Sequence, residues 1–118
     1  MKAGDEIAGR LLDFAVNSIK LTGNLPKTST GKYIAGQLLR SGTSPGANYE
    51  EARGAESRAD FIHKMSVVLK ELKESRYWLM LIHKSKMLPA RNIDDVINEC
   101  EQLCAIIAKS IITAKEKK

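Results

Sequence analysis

The sequence predicts an all-α protein, an up-down-up-down antiparallel four-helix bundle with a Pro-kinked second helix. Three observations lead there. Apolar residues recur at three- and four-residue steps in four separate segments. No stretch alternates with the period of two that a half-buried strand requires. Turn-forming residues cluster only between the four segments, so consecutive helices must fold back on each other. A chain of 118 residues buries one modest core, which makes 1–118 a single domain with helices over 4–22, 30–55, 58–88 and 93–115.

In the first segment Ile7, Leu11, Phe14, Ser18 and Leu21 share a face, and Gly23, Asn24 and Pro26 end it. Thr28, Ser29 or Thr30 can cap the second helix, which turns Ile34 and Leu38 inward. The run Leu39–Phe61, LRSGTSPGANYEEARGAESRADF, then departs from helical composition: Gly42, Pro45 and Gly46 all weaken a helix interior. The inward spacing nevertheless continues through Ser41, Pro45, Asn48, Ala52 and Ala55. A helix kinked at Pro45 and packed closely through small side chains satisfies both facts. Proline leaves the Ser41 carbonyl without its amide partner, and the Asn48 side chain or the Ser44 hydroxyl can replace it. Ser41, Ser44, Pro45 and Asn48 are thus read as a structural kink, with ligand binding the alternative for Asn48.

Ser57 and Asp60 stand at capping-box spacing, so a third helix begins near Arg58 and buries Phe61, Met65, Val68, Leu72, Leu79 and Ile82. Residues Tyr77 to Ile82 are apolar on every side of that helix. A bundle helix keeps one face outward, so Tyr77, Trp78 or Leu81 is expected to pack against another subunit unless a long loop covers it. Asn92 is a candidate cap for the last helix, with Asp94 and Asp95 in its first turn where the helix dipole favours acids. Its inner face is Ile93, Val96 or Ile97, Cys100, Leu103 or Cys104, Ile107 and Ile111.

Charge and composition limit the functional classes. The chain has 19 basic and 14 acidic residues, a formal charge of +5. Lys20, Lys27, Lys32 and Arg40 follow one another with no acid between them, Lys84, Lys86 and Arg91 surround the turn at Pro89, and the tail ends Lys115, Glu116, Lys117, Lys118. Such groups fit a polyanionic partner, and they also serve solubility. The apolar runs are too short for a membrane span, and the start MKAGDEIAG lacks the basic-then-apolar order of a signal peptide, which makes a cytoplasmic location the default expectation and a membrane partner unexpected.

Catalytic and cofactor readings fail on spacing. STGKY resembles the end of a phosphate-binding loop, but Pro26 stands where the first glycine belongs and Tyr33 where the magnesium-contacting Ser or Thr belongs. His63 and His83 on one helix stand about 30 Å apart along its axis, too far to share a metal. Cys100 and Cys104 read as reduced, buried, small apolar residues. Glu50, Glu51, Glu56 and Asp60, interspersed with Arg53 and Arg58, read as a solvated junction of local ion pairs. The expectation is no catalytic residue, metal, cofactor or small-molecule substrate.

The pattern Leu39-Arg40, Ser44-Pro45, Asn48, Glu51-Ala52, Ser57, Asp60-Phe61 resembles the hallmark of the small four-helix-bundle proteins encoded in intervening sequences of bacterial large-subunit ribosomal RNA genes, and the likeness extends from about Ile7 to Ile112. The resemblance implies a bundle that assembles into a ring, usually a homopentamer, with no catalytic activity assigned. A related group, the accessory proteins of diversity-generating retroelements, implies basic pentameric barrels that engage a reverse transcriptase and nucleic acid. The first helix, IAGRLLDFAVNSIKL, departs from the family's aromatic-rich opening. Together these readings predict a non-enzymatic homo-oligomer that binds RNA or a nucleoprotein, with Lys27, Lys32, Arg40, Lys84, Lys86 and Arg91 on phosphates. The competing expectation is a protein-binding scaffold without nucleic-acid contact.

Overall fold

The structure is a computed structural model and describes residues 2–117. Met1, and Lys118 of the basic tail, lie outside the described residues. Four helices, α1 (Asp5–Gly23), α2 (Ser29–Arg53), α3 (Arg58–Lys84) and α4 (Asp94–Glu116), account for nearly all of it, and there is no strand among the described residues. Each helix packs on the next in sequence, and α1 closes thinly against α4. The result is an antiparallel bundle of 50 × 24 × 23 Å. Its core holds Leu11 and Phe14 of α1, Leu38 of α2, Met65, Leu72 and Leu79 of α3, and Leu103 and Ile107 of α4, all essentially inaccessible to water.

Local chemistry explains where the helices start. Thr28 caps α2 by accepting a hydrogen bond from the Gly31 amide at 3.1 Å. Ser57 does the same for α3, accepting from Asp60 N–H at 3.0 Å. At α4 the structure differs from the expectation of an Asn92 cap. Asn92 closes a short 3-10 turn, Ala90–Asn92, and the cap position falls to Ile93, which has no side-chain acceptor. Burial decides this: Ile93 is fully inaccessible, so packing overrides local cap preference. The third helix also stops earlier than the periodicity of the sequence suggests. Lys86 adopts a left-handed backbone, φ 59°, and closes a Schellman motif in which Met87 N–H donates to the Ile82 carbonyl and Lys86 N–H to the His83 carbonyl, both at 3.1 Å.

The unusual run is helical. α2 passes without interruption through Pro45, whose side chain is fully buried. Small residues in this stretch bring the neighbouring helices close. A Cβ on Gly42 would overlap the Ser18 side chain of α1, and on the other flank Ser75 Oγ of α3 donates to Ser41 Oγ at 3.0 Å. Asn48 corrects the sequence expectation in one respect. Its Nδ2 donates to the Ser44 carbonyl at 3.0 Å and to Ser44 Oγ at 2.7 Å, not to the Ser41 carbonyl. Ser44 lies one turn back, where a helical side chain reaches, whereas Ser41 lies two turns back.

Candidate functional site

The loop α1–α2 and the loop α3–α4 lie at the same end of an up-down-up-down bundle, and this end gathers the basic residues. A cleft lined by Lys20 and Asn24 from the end of α1, by Leu88 and Asn92 from the other loop and by Val96 from the first turn of α4 brings the two together. At this end stand Lys20, Lys27, Lys32, Lys84, Lys86 and Arg91, all exposed. Lys27 Nζ donates to the Gly23 carbonyl at 3.2 Å. Among the described residues, none of the six cations has a carboxylate within ion-pairing distance. The acids of the same end are Asp94 and Asp95, with His83 Nε2 3.9 Å from Asp94. Lys86 stands at a left-handed position that favours glycine, so a cation is held there at a backbone cost.

Arg40 does not join this group. It lies about 12 Å further along α2 than Lys32, and its guanidinium spans Glu71, 2.7 Å away, and Glu74. The opposite end of the bundle is mixed in sign. Arg53 binds Asp5 at 2.6 Å and Glu50 at 3.0 Å, and Lys64 lies 3.3 Å from Asp60. The guanidinium of Arg53 holds the Asp5 carboxyl below the usual carboxylate range. Of the acids at the α2–α3 junction, Glu50 and Asp60 thus face cations in local ion pairs.

The Tyr77 to Ile82 run divides three ways. Leu79 and Ile82 enter the core, Trp78 and Leu81 are half-buried, and Tyr77 is 61% exposed beside exposed Met80. Trp78 Nε1 donates to Glu74 Oε2 at 3.0 Å, and its ring meets Tyr77 and Tyr33 edge-on, with centroids 5.2 and 6.1 Å apart. Tyr33 belongs to this surface, which no local pattern in the sequence signals, because its partner Trp78 lies on another helix. A second apolar surface also escaped the sequence reading. Leu12, Val16 and Ile19 of α1 point outward at 64%, 40% and 53% exposure. Their four- and three-residue spacing was the available signal, masked by the stronger core stripe of the same helix.

Among the described residues no group of three or more His, Cys, Asp or Glu gathers at metal-binding distance. The two free thiols differ. Cys100 is buried, its Sγ donating to the Leu72 carbonyl at 3.3 Å, and its thiol is pushed up. Cys104 is half-exposed, and its thiol is lowered to about 7 by the hydrogen bond with Cys100, against the effect of burial and with help from the charges of Arg76 and Lys73. A lowered value means the thiolate, the nucleophilic form, dominates above neutral pH. Iodoacetamide should therefore alkylate Cys104 with a rate that falls as pH drops through about 7, while Cys100 stays unmodified in the folded protein. Intact-mass kinetics of the wild type and Cys104→Ser check this, and a midpoint in the ordinary thiol range near 8.5 would refute it.

Comparison with known proteins adds three findings. The profile of the family described as 23S rRNA-intervening sequence protein matches residues 6–109. The chain is similar to the crystal structure of a protein of unknown function from the S23 ribosomal protein family of Bacteroides thetaiotaomicron VPI-5482, with 34% identity and a TM-score of 0.83 over 89% of this chain and 97% of that one. No curated protein matches it.

Proposed function

The chain belongs to the 23S rRNA-intervening sequence protein family, and from that premise we propose that it is a non-enzymatic, homo-oligomeric bundle that binds RNA, free or within a nucleoprotein, through its basic end. The polarity of the charge carries this reading. Among the described residues, six cations without a carboxylate partner stand against two acids at one end, while at the other end Arg53 and Lys64 are engaged with carboxylates and Arg58, Lys115 and Lys117 are interspersed with Glu6, Glu51, Glu56 and Glu116. Each phosphate contact is weak singly, and copies held side by side would multiply it. Self-association is supported by Tyr77, Met80 and their neighbours Trp78 and Leu81, which expose more apolar surface than a solvated helix face needs.

A structured RNA titrated at about 50 and 200 mM salt tests the reading. The triple variant Lys84→Gln, Lys86→Gly, Arg91→Gln should bind at least about tenfold more weakly and lose about one unit of salt slope per lost contact. Its Lys86→Gly change also relieves the left-handed backbone, so weakened binding cannot be blamed on that site's unfolding. Wild-type protein that binds no RNA even at low salt would overturn the reading and leave a protein-binding scaffold, which the exposed apolar faces favour.

A further inference from the structure

We propose that Cys104 is a site of reversible S-thiolation: it exchanges with small, negatively charged disulfides and keeps the incoming half as a mixed disulfide, which the neighbouring Cys100 does not resolve. The site is separate from the function proposed above, because Cys104 lies about 15 Å along α4 from the helix start at the basic end.

Two contacts fix α3 against α4 at this level. Cys100 Sγ donates to the Leu72 carbonyl at 3.3 Å, and Arg76 Nε donates to Glu101 Oε2 at 3.1 Å. The two helices are antiparallel, so three residues back from Arg76 and three on from Glu101 bring Lys73 level with Cys104. Lys73 is exposed and, among the described residues, has no carboxylate within ion-pairing distance, whereas Arg76 is already paired with Glu101. The half-exposed thiol therefore has an unengaged cation beside it. On α4 itself the residue one turn on is Ala108, and a helical side chain covers the turn before it. A methyl group covers little, so the Cys104 sulfur stays open to a small molecule from that side.

The chemistry follows from the pair of thiols. Exchange is fastest for an attacking thiol that titrates near ambient pH, and the hydrogen bond with Cys100 lowers Cys104 to about 7. The Cys104 thiolate attacks one sulfur of the disulfide. A new S–S bond forms at Cys104 Sγ as the old one breaks, and the bonding pair leaves with the second sulfur as a thiolate that takes a proton from water. Cys104 is oxidised and the departing sulfur reduced, so the disulfide itself is the oxidant. Release of the adduct as an internal disulfide would require attack by Cys100. The hydrogen bond with Cys104 and burial both push the Cys100 thiol up, which keeps it protonated and a poor nucleophile. Two side chains one turn apart on a single helix also reach disulfide geometry poorly. The adduct thus stays until an external thiol removes it.

Incubating the reduced protein with glutathione disulfide near neutral pH, followed by intact mass and peptide mapping, tests the proposal. Wild-type protein should gain one glutathionyl group per chain, at Cys104, and lose it to dithiothreitol, and Cys104→Ser should gain none. Charge should show in the rates. With each rate divided by that of the same disulfide with 2-mercaptoethanol, anionic glutathione disulfide should react faster than cationic cystamine. Lys73→Gln should slow glutathione disulfide by about two- to fivefold, and by more than it slows the neutral disulfide of 2-mercaptoethanol. An adduct on Cys100, an internal Cys100–Cys104 disulfide with no glutathione retained, or no adduct on the folded wild type would overturn the proposal. A normalised cystamine rate equal to or above that of glutathione disulfide would overturn it as well, because the selection for negative charge would then be absent.

Discussion

Phe14→Ala lowers the stability of the bundle by about 3–5 kcal/mol, the range for truncating a fully buried phenylalanine. Phe14 is 1% exposed and is one of two phenylalanines in the chain, the other, Phe61, being only half-buried. Its place in α1 makes the cavity hard to refill. The backbone of α1 is held close to α2 by Gly42 against Ser18, and the Ser18 hydroxyl is tied to the Phe14 carbonyl at 2.9 Å. Against a total stability of about 5–15 kcal/mol, such a loss moves the protein close to its unfolding threshold. Urea denaturation at fixed protein concentration measures it, the concentration being fixed because assembly would add to apparent stability. A loss under about 1 kcal/mol would mean that α1 relaxes into the space, and that its contact with α2 is looser than described.

Arg40→Ala costs about 1–3 kcal/mol, and RNA affinity stays unchanged. The Glu71 side chain is only 9% exposed, and Arg40 is its cation at 2.7 Å. Removing Arg40 leaves a carboxylate in a poorly hydrated site, and that penalty is larger than the net worth of the pair itself. The Arg40 side chain is half exposed, so water offsets part of the loss and holds the effect toward the lower end. Arg40→Leu combined with Glu71→Leu should recover most of the stability, since it removes the stranded charge along with its partner. If the double variant is as unstable as Arg40→Ala, the network acts through packing and not through charge. If RNA binding falls with Arg40→Ala while stability holds, Arg40 belongs to the phosphate surface after all.

The helices were legible in the sequence because their signals are local. Ser57 and Asp60 announce a cap from three residues apart, and the apolar period of each segment survives even across Pro45. What stayed hidden depends on residues far apart in the chain. Arg40 looks like its basic neighbours until Glu71 and Glu74, a helix away, turn it into a structural ion pair. Ile93 takes the cap position of α4 because of burial that only the assembled bundle provides. Lys86 reads as one more surface cation, yet its left-handed backbone is what stops α3 at Lys84. Of the six cations expected to meet phosphate, five came together because two loops with no sequence relation meet at one end. Cys104 reads in the sequence as a buried small apolar residue, and its lowered thiol reflects Cys100 one turn away, with further help from Arg76 and Lys73 on the facing helix.

The thin closure of α1 on α4, against the broad packing of every sequence-adjacent pair, also bears on how quickly the chain finds its shape. Most tertiary contacts form between helices joined by a single short turn, so little loop-closure entropy stands before them. Only the seam fastened by Arg10 to Glu99, 2.6 Å apart, requires the first and last helices to meet. Topologies dominated by such neighbouring contacts reach the native state in microseconds to milliseconds. The same order means that two of the three sequence-adjacent helix pairs, α1 with α2 and α2 with α3, can pack before the last helix has been synthesised.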